Sequence, residues 1–113
     1  MRATERPLTR EQKRQARDLA GAAWEAELSQ ALDELNVLFA DWRKGRIDVF
    51  QLSAAIHEFH DGPSRELLKR YRGLPPEDLA ARAIAQDLIR PGDVPAELRT
   101  ALAARIERWR RRG

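Results

Sequence analysis

The chain contains no cysteine. Disulfides, thiolate metal sites and cysteine nucleophiles are therefore excluded, because each needs a sulfur atom. Imidazole is confined to His57 and His60, and aromatic residues make up only 6% of the 113. For acid–base catalysis His57 and His60 are thus the natural candidates. No apolar run approaches the ~18 residues of a membrane span, and the first residues, MRATERPLTR, lack the apolar core of a secretory signal. A cytoplasmic protein with no membrane partner is expected. β-Branched residues are sparse and no segment alternates apolar and polar with period two, so strands are not expected. Lysine occurs only at Lys13, Lys44 and Lys69, and asparagine only at Asn36. Low Asn and Cys with dense charge hint at a heat-adapted source, and a GC-rich bacterial gene would give the same bias to Ala and Arg.

What is present in quantity is alanine, leucine and arginine, a mixture that favours helix. The net charge is only +3 although 35% of residues are charged, so the signs must be weighed locally. The first turns are mostly basic (Arg10, Lys13, Arg14, Arg17). From Glu25 to Asp41 every charge is negative, whereas Arg65 to Arg72 and the tail are basic. Alternating blocks suit self-association or a partner of mixed charge as well as they suit nucleic acid.

The organisation follows from glycine, proline and capping signals. Residues 1–8 read as a flexible arm preceding a single helical domain over 9–113. Thr9 and Gln12 have capping-box spacing and open a helix over about 10–44, roughly 50 Å long. Gly21 is its one weak point. Because its first half buries mostly alanine, that half is expected to project. Gly45 ends the helix in left-handed geometry. Asp48 and Gln51 form a second capping box, with Ile47 and Leu52 at staple positions, and open a helix over 48–61. Val49 and Phe50 lie off its apolar stripe and are expected to cover a neighbouring surface. Gly62-Pro63 then breaks the chain. Further helices are expected over 64–72, capped by Gly73, over 76–89, opened by Pro76, and over 95–111, after a turn at Arg90–Asp93. The fold expected is all-α: a single-domain helical bundle of about five helices with one long N-terminal helix.

Four stretches invite a functional reading. The turn FADWRKGRIDVFQ resembles the frame of an EF-hand calcium loop, with Gly45 at the sharp turn, Ile47 two residues on and Gln51 last. The positions that would ligate calcium are Ala40, Trp42 and Lys44, none of which can, so the turn reads as a helix connector. His57, His60 and Asp61 lie at i, i+3 and i+4 on one helix face and could meet a metal ion. The plainer reading is a polar face at a helix C-terminus, where histidine suits the dipole. The arginines of the tail, Arg105, Arg108, Arg110, Arg111 and Arg112, could contact phosphates, with Trp109 stacking on a base. Trp109 also continues the apolar stripe of Leu98, Leu102 and Ile106, which places it in a core or interface instead. Tyr71, within Lys69-Arg70-Tyr71-Arg72, is either a recognition residue or an apolar contact with its hydroxyl at the surface.

The most extended pattern is apolar. Trp24, Leu28, Ala31, Leu35, Leu38 and Trp42 alternate by four and three, the spacing of a coiled-coil seam, with Leu32 and Phe39 widening it. Trp24, Leu28, Leu35, Leu38 and Trp42 are the candidate interface. The expected function is a small protein–protein interaction module, an adaptor or regulatory subunit, that forms a homodimer or binds a protein partner through the long helix. No cofactor and no enzymatic activity are expected. The alternatives are a nucleic-acid-binding regulator using the Arg-rich helix ends, and a metal-dependent or acid–base enzyme using the His57, His60 and Asp61 face.

Overall fold

The computed structural model describes residues 7–112. Among them there is no strand, and the chain is all-α, with one long N-terminal helix. The helices are α1 (Arg10–Arg43), α2 (Val49–Phe59), α3 (Arg65–Gly73), α4 (Pro76–Ala85), α5 (Ala96–Ala101) and α6 (Ala103–Arg112). A π-helical turn (His60–Ser64) joins α2 to α3, and a 3-10 turn (Pro91–Asp93) precedes α5. No helix among the described residues is long and apolar enough to cross a membrane. The arm expected over 1–8 lies mostly outside the described residues; of its end, Leu8 is buried.

The capping chemistry operates as the residue types dictate. Thr9 Oγ1 accepts from the Gln12 amide and Gln12 Oε1 accepts from the Thr9 amide, both at 3.0 Å. Asp48 and Gln51 make the same exchange at 2.7 and 2.8 Å. Two orphan amides are satisfied at each helix start. On the first turn of α1, Arg14 binds Glu11 and holds its carboxyl below the ordinary carboxylate range through that hydrogen bond. The helix runs unbroken across Gly21 and ends at Gly45, whose φ is +77°. There the Arg46 amide donates to the Asp41 carbonyl at 2.8 Å and the Gly45 amide to Trp42 at 3.0 Å. This is the Schellman exchange that satisfies the last carbonyls.

Contacts divide the chain into two units. The first comprises the segment up to Trp24 and everything from Leu74 onward. Its centre is α4, in which every residue from Leu79 to Ile84 is buried. A helix apolar on nearly all sides belongs in an interior, and three alanines in that run let neighbours approach. Leu8, Ala16 and Leu19 pack into the same core as Ala80, Ile84 and Val94, and Leu98 and Leu102 are fully enclosed there. The first half of α1 therefore does not project. Its alanines at 16, 20 and 23 are buried, because small side chains suit close helix packing as well as they suit exposure.

Two boundaries in this unit differ from the sequence expectation. α4 ends at Ala85 rather than continuing to 89, because Asp87 takes a left-handed φ of +56°. The Leu88 amide reaches the Ala83 carbonyl at 2.9 Å and the Asp87 amide reaches Ile84 at 3.3 Å, a second Schellman exchange without a glycine. The last helix is divided at Leu102, whose backbone leaves helical geometry with φ −95° and ψ 2°. The apolar period is the same on both sides of that residue, so periodicity does not register the division.

The second unit is Glu25–Gly73. It is a helical hairpin: the second half of α1, the Gly45 turn, then α2, the π turn and α3 as one returning arm. Gly62-Pro63 does not break that arm. The π turn widens the backbone at Pro63, which has no amide to donate, and the helix resumes at Arg65. Gly73 also departs from expectation, since it completes α3 and is not left-handed. The arms are tied at the open end, where the Tyr71 hydroxyl donates to Glu27 Oε2 at 2.6 Å and Arg70 lies 3.7 Å from the same carboxylate.

Candidate interaction surface

The hairpin has two faces of different chemistry. One follows the contact line on which Glu27 and Ala31 of α1 meet Leu67 and Tyr71 of α3. Beside it runs a cleft of about 250 Å³ bordered by the charged and polar side chains of Gln30, Glu34, Glu66 and Arg70 and by Ala31, Pro63 and Leu67, a face of mixed character. On the other flank of α1 stand Leu32, 46% exposed, and the half-buried Phe39. On the corresponding flank of the returning arm stand Val49, Ile56 and Leu68, all exposed. The arms are right-handed helices running in opposite directions. A step around α1 from Ala31 to Leu32, and a step around the other arm from Leu52 and Leu67 to Ile56 and Leu68, therefore turn to the same side. That side is the apolar face of the hairpin.

The seam residues are placed accordingly. Trp24 is half-buried in the first unit, and Leu28, Leu35 and Leu38 are half-buried in the hairpin. Trp42 remains 39% exposed. No residue of α1 after Ala23 is fully buried. Within the whole hairpin only Leu52 and Leu67 are. Val49 and Phe50, expected to cover a neighbouring surface, are 53% and 81% exposed. Among the described residues, all seven exposed large apolar side chains, Leu32, Val37, Trp42, Val49, Phe50, Ile56 and Leu68, belong to this unit. Periodicity found the seam and set Val49 apart from the α2 stripe, but Ile56 and Leu68 were missed as surface residues. The signal for Ile56 was present in α2, whose apolar residues spread wider than one neighbouring helix can cover.

The other candidates are placed as follows. His57, His60 and Asp61 are exposed, and Asp61 stands 3.9 Å from Arg65. Among the described residues no group of three or more His, Asp or Glu is gathered closely enough to hold a metal ion. In the tail, Arg105 lies 3.4 Å from Asp78, Arg110 lies 3.9 Å from Glu107, and the Arg112 guanidinium covers the Trp109 ring at 5.0 Å. Arg108 also has a partner, and Arg111 is exposed. The indole proposed to stack on a base is thus half-buried and covered by a neighbouring arginine. Tyr71 is engaged inside the hairpin through Glu27.

No protein-family model matches this chain, and no curated protein and no solved structure matches it. Function is read from the surface itself.

Proposed function

We propose that the protein is a small cytoplasmic protein–protein interaction module, an adaptor or regulatory subunit, whose binding element is the hairpin Glu25–Gly73 and whose central helix is α1. The observation that carries this reading is the segregation of exposed apolar side chains. Among the described residues the first unit leaves no large apolar side chain exposed, while the hairpin leaves seven uncovered. Leaving such a side chain half exposed forgoes roughly 1 kcal/mol of burial. Four of the seven, Leu32, Val49, Ile56 and Leu68, stand on one flank, and an apolar face of this kind marks an association surface. The partner is a helical protein surface, since two antiparallel helices with an open apolar side complete a core by adding further helices.

A photo-crosslinking residue placed at Leu32, and separately at the exposed Arg17 of the first unit, tests the proposal in the native cell. Protein adducts are expected from position 32 and not from position 17. Absence of any adduct at position 32 overturns the reading. Nuclease-sensitive adducts from a probe at Arg111, with none at position 32, would establish the nucleic-acid alternative instead.

A further inference from the structure

The apolar face is bordered by very few charges. On α1 its outer edge carries Ser29 and Asn36, with Glu25 at one end and Arg43 at the other. These residues lie on one helix line, and Glu25 and Arg43 are about five turns apart. On the returning arm the edge carries Ser53 and His60, with Arg72 one turn beyond Leu68. Along α1 the face has an uncharged middle and opposite charges at its two ends, and that line is complementary to itself when turned end for end. The midpoint of Glu25 and Arg43 falls beside Leu35, at the centre of the apolar stripe. A second copy related by a two-fold axis at that point places Glu25 of each chain opposite Arg43 of the other. It also lays Leu28, Leu32, Leu35 and Phe39 antiparallel to their equivalents.

Size agrees with this arrangement. The hairpin face is roughly 30 Å long and roughly 20 Å wide, two helix diameters. That is on the order of 600 Å² per copy, near the lower end of what a stable interface buries. Two hairpins joined in this way make a four-helix core, the smallest assembly that covers the inner flanks of both arms. The arrangement is isologous and closed, so it stops at two copies.

We propose that the hairpin face binds a second copy of this chain, antiparallel along α1 about Leu35, with Glu25 and Arg43 pairing across the two-fold axis. The inference rests on the reading of the hairpin as the binding element. Sedimentation of the full-length protein between ~1 and ~100 μM should show a dimer. Leu32→Glu and Ile56→Glu should each give a monomer whose helical circular dichroism is unchanged, because both side chains are exposed within one chain. Val37→Glu, on the far side of α1, should remain dimeric. Glu25→Arg and Arg43→Glu should each weaken the dimer about tenfold, and the double variant should recover most of that loss.

A wild-type monomer throughout the concentration range overturns the proposal, as does a dimer indifferent to both Leu32→Glu and Ile56→Glu. Failure of the double charge reversal to recover the loss overturns the antiparallel pairing. If the wild type is monomeric but a probe at position 32 captures a different protein, this inference falls and the interaction-module reading stands. If the probe captures nothing, both fall.

Discussion

Asp87 and Gly45 perform the same task at the ends of α4 and α1, with φ values of +56° and +77°. Glycine adopts that geometry without a Cβ penalty, whereas an L side chain there costs about 1 kcal/mol. Asp87→Gly should therefore raise stability by about 0.5–1 kcal/mol, and Gly45→Ala should lower it by about 1 kcal/mol. Thermal melts read both as shifts of a few degrees in opposite directions. Gly21 is the converse case: it sits inside α1 with open space where a Cβ would stand. Gly21→Ala should stabilise the helix by about 0.8–1 kcal/mol, visible as a higher Tm with unchanged secondary structure.

At the scale of elements, the hairpin is held by local chemistry at both ends and by little between. The Asp48–Gln51 box fixes where the returning arm starts, and Asp48→Ala should cost about 1 kcal/mol in urea unfolding. At the open end, the hydrogen bond from the Tyr71 hydroxyl to the Glu27 carboxylate is short and charge-assisted. Tyr71→Phe should cost about 1–2 kcal/mol, and a double-mutant cycle with Glu27→Gln should show that the two losses do not add. Additive losses would mean that the bond does not tie the arms. The π turn at Pro63 belongs to this scale as well. It keeps α2 and α3 one arm, so that Ile56 and Leu68 can share a flank.

Across the molecule, burial is uneven. The first unit holds a dense alanine- and leucine-lined core around α4, while the hairpin encloses only Leu52 and Leu67. Leu98→Ala, at a fully enclosed site, should cost about 2–5 kcal/mol. Hydrogen exchange should reflect the same contrast: the amides of α4 exchange slowest and those of α2 and α3 faster. If a partner copy covers the hairpin, exchange in α2 and α3 should slow as concentration rises from ~1 to ~100 μM, while α4 is unaffected. Equal response of both units would contradict a surface confined to the hairpin.

Helix type, the two capping boxes, the Gly45 terminus and the seam from Trp24 to Trp42 were all legible in the sequence, because each depends on residues within one or two turns of one another. The division at Leu102, the left-handed Asp87 and the passage through Gly62-Pro63 were not. In those places the backbone follows a packing or hydrogen-bonding demand that its own residue types do not announce. The candidate surface was half legible. Spacing identified one apolar stripe on α1 and another on α2, but it could not say which would find cover within the chain. Only the tertiary structure decided that, by enclosing the alanine-rich first half of α1 around α4 and leaving the leucine-rich half paired with a single arm. A stripe wider than its neighbour has an uncovered flank, and it is this flank, with Leu32, Val49, Ile56 and Leu68, that the chain presents outward.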